Sequence, residues 1–215
     1  MAYTEWGGVE DVARYAERRY RHWDQRWLDR REQAMVRRLF EAFDLRGEIL
    51  DVPVGYGRFQ PLLSRFGEVD AVDFSPHVVA YQQERYGLAR YSVTGRAENL
   101  PFADNSYDVV FSFRLLQHVH HPEERVAMFA EFGRVSRQWV LASMYMVSPV
   151  HQLQRRLFNA KARITMISRR QLQAECYTAG LELVKLGSVL PGLHAHRIGL
   201  FRVAAPEFLA QSLAH

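Results

Sequence analysis

The sequence predicts an α/β fold: a doubly wound, mostly parallel sheet with a C-terminal antiparallel hairpin strand and an N-terminal helical cap. Three observations carry the prediction. An apolar run ends in Asp51 and a glycine turn, Gly55-Tyr56-Gly57, immediately before a helical pattern that starts at Arg58. A second apolar run, Val69 to Phe74, contains another acid, Asp73, about twenty residues further on, as in sheets that present a carboxylate to a ribose. Strand-like apolar runs then alternate with helix starts for the rest of the chain, which is the pattern of successive βα units.

Residues 1–46 are rich in arginine and aromatic side chains, and Leu28, Met35, Leu39 and Ala42 recur at helical spacing. They form the expected cap, its second half an amphipathic helix ending near Gly47 and packed on the core of residues 47–215. After the first strand and glycine loop the pattern predicts a helix from Arg58 to Phe66 and a second strand ending at Asp73. Ser75 as N-cap and Pro76 at the first helical position start the next helix, and Gly87 ends it. Ala89 to Thr94 is the third strand; Asp104-Asn105-Ser106 is a turn; Tyr107 to Phe113 is a central strand covered on both faces. Pro122 with Glu123 and Glu124 opens a helix that Gly133 can close, and Gln138 to Tyr145 is the fifth strand. Ser168 to Gln171 fits a capping box for a helix that Gly180 ends, and Leu181–Leu190 and Arg197–Val203 flank Pro191-Gly192 as a closing hairpin.

A chain of 215 residues buries one sizeable core and is too short for two comfortable domains, so one compact domain is expected. Apolar residues make up 48% and charged residues 24%, which excludes a disordered chain. The start has neither a basic nor an apolar leader region, and no apolar run reaches the length of a membrane span, so a cytoplasmic protein without a transmembrane segment is expected. Cys176 stands alone within a helical pattern and reads as a buried structural thiol. The formal charge is only +4, but Phe132 to Ala174 contains eight basic residues and no acid. A solvated face explains such a run; an anionic small substrate, a membrane surface or RNA are the functional readings.

The glycine spacing bears on the ligand. A dinucleotide loop wants a third glycine where this chain has Gln60, so a diphosphate fits poorly. A carboxylate at Asp51, ahead of the glycines, suits a cofactor with a cationic end. Residues Ile49 to Phe59 resemble motif I of the class I S-adenosylmethionine-dependent methyltransferases, whose Rossmann-like core this order of elements also resembles. Pro53 stands where that motif more often has glycine; its φ is fixed, so the loop is expected to bend at Gly55 and Gly57. The resemblance implies S-adenosyl-L-methionine as cofactor, held by Asp51, Val52, Pro53, Gly55 and Gly57, with Asp73 on the ribose and Phe74 beside it. The phrase Gly95 to Phe102 is similar to the family's adenine segment, with Ala97 and Glu98 as candidates and Asn99 behind them. Phe113 to Val119 is similar to its fourth motif, which places Phe113, Arg114 and His118 near the transferring methyl.

Methyl transfer from a sulfonium needs mainly alignment of the nucleophile, and a base only where the acceptor must lose a proton. His118 is the candidate base on position, a hydrogen-bonded prop for its loop being the other role. His118, His120 and His121 do not have the spacing of a metal site, and no metal is expected. Tyr15, Tyr20 and Trp23 are candidate walls of the acceptor pocket, or else core aromatics. Arg155 and Arg156, in the basic segment from Met146 to Ile167, are candidate acceptor contacts, because a substrate lid usually lies there in the family. The function expected is a methyltransferase acting on a small-molecule acceptor that is anionic or held at a membrane surface. An RNA methyltransferase and a non-catalytic cofactor-binding partner subunit are the alternatives; no RNA-binding module is visible. The acceptor atom and the oligomeric state are not legible.

Overall fold

The computed structural model describes residues 6–19, 21–147, 164–189 and 195–204. Two helices come first, α1 (Val9–Arg19) and α2 (Trp23–Ala42), followed by β1 (Gly47–Asp51), α3 (Gln60–Leu63), β2 (Gly67–Asp73), α4 (Pro76–Arg85) and β3 (Ala89–Thr94). The second half contains β4 (Tyr107–Ser112), α5 (Pro122–Val135), β5 (Ser136–Tyr145), α6 (Arg169–Thr178), β6 (Leu181–Ser188) and β7 (His196–Val203). The seven strands form one sheet in the order β3-β2-β1-β4-β5-β7-β6. β1 pairs in parallel with both β2 and β4, whereas β7 runs antiparallel to β5 and β6, so the hairpin closes the sheet with one reversed strand.

The central strand is buried because its side chains are apolar on both faces: Val109, Val110 and Phe111 are fully enclosed. Each such side chain contributes about 1.5–3 kcal/mol by leaving water. On one face Phe129 and Phe132 of α5 pack with Leu172 and Cys176 of α6; on the other, Val36 and Phe40 of α2 pack on Ile49, Phe111 and Leu141. Burial pushes the Cys176 thiol well above its ordinary range, as befits a structural cysteine. Val12 of α1 joins Val54, Ala71 and Val78, which seats α1 over α4 and the glycine loop.

Several boundaries differ from the sequence reading. The helix expected over 58–66 shrinks to the single turn of α3, because the chain around it forms three-residue turns: Gln60 N–H to Gly57 O, Arg65 N–H to Leu62 O and Phe66 N–H to Leu63 O. Gly133 lies inside α5 instead of ending it, since a Cβ there would come within 3.3 Å of Leu181 and the glycine lets helix and strand approach. At α6 the Ser168 hydroxyl accepts from Gln171 N–H at 3.1 Å, whereas the Gln171 amide turns forward to Glu175, so half of the capping box forms. Pro191-Gly192 lies outside the described residues.

Candidate functional site

Strand order reverses between β1 and β4, and there the carboxyl ends of the strands open a crevice, the usual ligand position in such sheets. A cavity of about 390 Å3 occupies it, reached by Asp51 from β1, Asp73 from β2, Phe113 and Arg114 after β4, and Tyr145 from β5. The Val52–Pro53 peptide is cis, and the loop then turns through two left-handed glycines, Gly55 at φ +55° and Gly57 at φ +80°. Their roles differ. A Cβ on Gly55 would meet nothing within 4 Å, so its backbone faces the open cavity, whereas one on Gly57 would lie 2.8 Å from the Tyr86 ring.

The two acids are also distinct. Asp73 accepts N–H groups from Gly55 at 3.0 Å and Ser75 at 3.1 Å, which fixes its carboxylate and leaves further lone pairs for a ligand. Asp51 is only 2% exposed, and its Oδ2 has no hydrogen-bond partner among the described residues. Burial, with the nearby Asp73 carboxylate second, pushes the Asp51 carboxyl well above its ordinary range against the pull of Arg58. Burial also raises Asp73, though its backbone donors oppose the shift.

Behind one wall lies a charge network joining four distant parts of the chain. Glu32 of α2 is fully buried and accepts from Arg58 Nη2 at 2.7 Å and Arg114 Nη2 at 2.6 Å, while His196 Nδ1 lies 3.0 Å away. Arg58 also pairs with Asp29 and rests over the rings of Phe59 and Phe113 at 4.3 Å and 4.9 Å. Burial alone would raise the Glu32 carboxyl, but His196, Arg58 and Arg114 hold it well below its usual range. Arg114 sits at φ +62° and its N–H donates to the Ser143 hydroxyl at 2.7 Å, so the turn after β4 is anchored to β5. Arg125, itself buried, donates to the carbonyls of Val119 and His120 and to Glu175, tying the His118 loop to α5 and α6.

His118 lines the cavity with Gln117, and their side-chain nitrogens are 3.3 Å apart. Desolvation, then His120 and Arg114, lower the imidazole below its ordinary value, so it is neutral at pH 7. Of the other residues expected at the site, Asp51, Pro53, Gly55, Asp73, Phe74, Phe113, Arg114 and Tyr15 line the cavity. Others do not. Val52 and Ala97 are buried in the core, Gly57 packs on α4, and Glu98 pairs with Arg96, which lies over the Phe74 ring at 5.4 Å. Trp23, expected as a pocket wall, is instead 76% exposed, because the buried stripe of α2 runs through Glu32, Val36 and Leu39. Tyr20, Arg155 and Arg156 lie outside the described residues. Sequence reasoning missed Trp6, Arg19, Tyr56, Arg58, Gln117 and Tyr145 in the lining. A signal existed for Glu32: it falls in register with Leu28, Met35 and Leu39, a carboxylate on an otherwise apolar stripe.

Residues 50–139 match the model of the family described as a methyltransferase domain. Over that stretch the chain is similar to a methyltransferase domain. Over 73 residues, 34% of this chain, it is 37% identical to the biotin biosynthesis bifunctional protein BioHC of Cellvibrio japonicus. Over 66 residues it is 36% identical to a malonyl-[acyl-carrier protein] O-methyltransferase of Pectobacterium atrosepticum. These matches span only 14% and 26% of the two curated relatives. Magnesium protoporphyrin IX methyltransferase from Synechocystis PCC 6803, solved with bound S-adenosylhomocysteine, is similar in fold, with a TM-score of 0.73. That likeness covers 91% of this chain and 94% of the other at 18% identity.

The same Synechocystis enzyme has also been solved with bound S-adenosyl-L-methionine. The residues present fit that group. The partnerless Asp51 Oδ2 meets the requirement for a cationic end, Asp73 retains acceptor sites for hydroxyls, and Gly55 leaves space for close approach of a ligand. Among the described residues no helix is long and apolar enough to cross a membrane.

Proposed function

We propose that the protein transfers the methyl group of S-adenosylmethionine to a small-molecule acceptor that carries negative charge or is presented at an anionic surface. The observation that carries this reading is the buried, partnerless Asp51 carboxylate oxygen beside the glycine turn, at the switch point of the sheet. A dinucleotide would bring a diphosphate to that carboxylate; a sulfonium amino acid brings an ammonium.

S-adenosylmethionine supplies an electrophilic methyl carbon when bound. The chain's own residues align and shield. Asp51 takes the ammonium, Asp73 the ribose hydroxyls, and Phe113 and Tyr145 exclude water from the acceptor side. Arg19 lines the cavity with Arg58 and Arg114, the latter two paired with Glu32 behind its wall, and Trp6, Tyr15 and Tyr56 offer an acceptor an aromatic wall. His118, neutral and in the lining, is able to accept the proton of an acceptor hydroxyl at its ring nitrogen. One of the sequence relatives is named as an O-methyltransferase, which supports transfer to oxygen.

The test is methyl transfer from labelled S-adenosylmethionine to panels of small carboxylic acids, phenols and amines, with total RNA as the competing panel. Label in the small-molecule fraction, lost about a hundredfold in His118→Gln at unchanged cofactor affinity, supports both transfer and the base role. With an imidazole lowered from its ordinary value of 6.5, wild-type turnover should fall only as pH drops below that value. Label confined to RNA overturns the small-molecule reading, and near-normal turnover of the variant leaves His118 as a prop.

A further inference from the structure

On the outer side of α2 a second recess, of about 650 Å3, runs between that helix and β6. Its helical wall is one stripe, from Trp27 through Arg31, Ala34 and Arg38 to Ala42, in steps of three and four residues. At 1.5 Å per residue the stripe extends about 22 Å. The floor is aliphatic, formed by Met35, Leu39 and Val189, and the Met35 methyl group lies against Gly187, where any added side chain would have to displace it. The charges are of one sign. Arg30, Arg31 and Arg38 stand on the α2 wall and Lys185 on the β6 wall, and among the described residues no carboxylate lines the recess. Among the described residues none of these four cations is in an ion pair; Arg31 lies over the half-exposed Trp27 ring at 5.2 Å.

We propose that this groove docks an acidic amphipathic helix of a partner protein, with its apolar stripe on the Met35-Leu39 floor and its carboxylates against Arg30, Arg31, Arg38 and Lys185. Three features select that occupant. The lining stripe of α2 spans about four helical turns, a length that a docked helix of similar length would match. Cations on both walls, facing across an apolar floor, are the complement of a helix with acids on either side of an apolar stripe. A flat bilayer touching the rim would leave the floor uncovered, and a second copy of this chain would set arginine against arginine. Ser188 and Val189 end β6 at the same sheet edge as the cavity, so the partner would sit beside the cavity without entering it. The rim charges are exposed, so the floor contributes most of the affinity and the charges set orientation and salt dependence.

The probe is a fluorescently labelled synthetic 16-residue peptide, about the length of the groove, with leucines on one helical face and glutamates elsewhere, titrated into the full chain by anisotropy. The proposal expects saturable binding that weakens as salt rises, falls at least tenfold in the Arg30→Glu, Arg38→Glu double variant and in Lys185→Glu, and is absent for a scrambled peptide without an apolar face. S-adenosylhomocysteine affinity, measured on the same variants, should be unchanged, which shows they are folded and keeps this test separate from the methyltransferase reading. Equal binding by wild type and variants, no binding at all, or binding of phosphatidylglycerol vesicles in place of the peptide would each overturn the proposal. So would self-association of the chain that the charge reversals strengthen.

Discussion

Asp51 makes opposite contributions to stability and to binding, and Asp51→Asn separates them. In the free protein its carboxyl is buried, partnerless at Oδ2 among the described residues and close to Asp73, so ionising it is unfavourable and its pKa lies well above the ordinary value of 3.8. A raised folded-state value means that its stabilising contribution is complete below the unfolded pKa and is lost as pH rises through the folded one. At neutral pH the isosteric amide should therefore leave the melting temperature of the ligand-free protein unchanged or higher. Binding should suffer. A hydrogen bond to a charged group is worth about 1.5–3 kcal/mol, so the dissociation constant for S-adenosylhomocysteine should rise roughly 10- to 150-fold. Pairing with an ammonium also requires the carboxylate, so wild-type binding should release a proton and weaken about tenfold per pH unit below the raised pKa. Calorimetry in buffers of different ionisation enthalpy reads that proton, and Asp51→Asn should abolish it. A variant that melts earlier, binds as tightly and releases the same proton would refute the reasoning.

The network behind the cavity and the glycine loop give two further tests. Glu32→Gln removes one partner of a fully buried cluster and should destabilise by about 3–5 kcal/mol in urea denaturation at pH 7. Because Glu32 is lowered in the folded state, its contribution is present above the ordinary value of 4.5 and lost only as pH falls toward the depressed one; the variant should lack that acid limb. Gly57→Ala should mainly cost stability, since φ is +80° and the Tyr86 ring is 2.8 Å from the added carbon. Gly55→Ala, with open space at its Cβ, should cost only about 1–2 kcal/mol of folding but weaken the cofactor more than Gly57→Ala does, as thermal melts and titrations on both variants would show.

The backbone of the site was legible because local chemistry dictates it. An apolar strand ending in Asp51, glycines where φ must be positive, and Asp73 at the end of the neighbouring strand are consequences of short sequence stretches, and the mostly parallel sheet follows from the alternation of strands and helices. The serine and proline at the start of α4 were equally local. What escaped was assembled at long range. Arg58 reads as a helix start until Glu32 and Asp29, on another element, draw its guanidinium to the wall of the cavity. His196 comes from the last strand and meets Glu32 only because β7 is inserted beside β5. Trp23 was misplaced for a related reason: aromatic content does not reveal which face of a helix is covered, and the stripe through Val36 and Phe40 turned Trp23 to solvent.

The central claim is that the crevice between β1 and β4 holds S-adenosylmethionine with Asp73 on its ribose. Calorimetric titration of the full chain and of Asp73→Ala with S-adenosylhomocysteine, with NADH as the competing ligand, tests it most directly. The expected result is binding of S-adenosylhomocysteine alone, weakened by roughly 1.5–3 kcal/mol in Asp73→Ala. Binding of NADH in its place, or an affinity that Asp73→Ala leaves untouched, would contradict it.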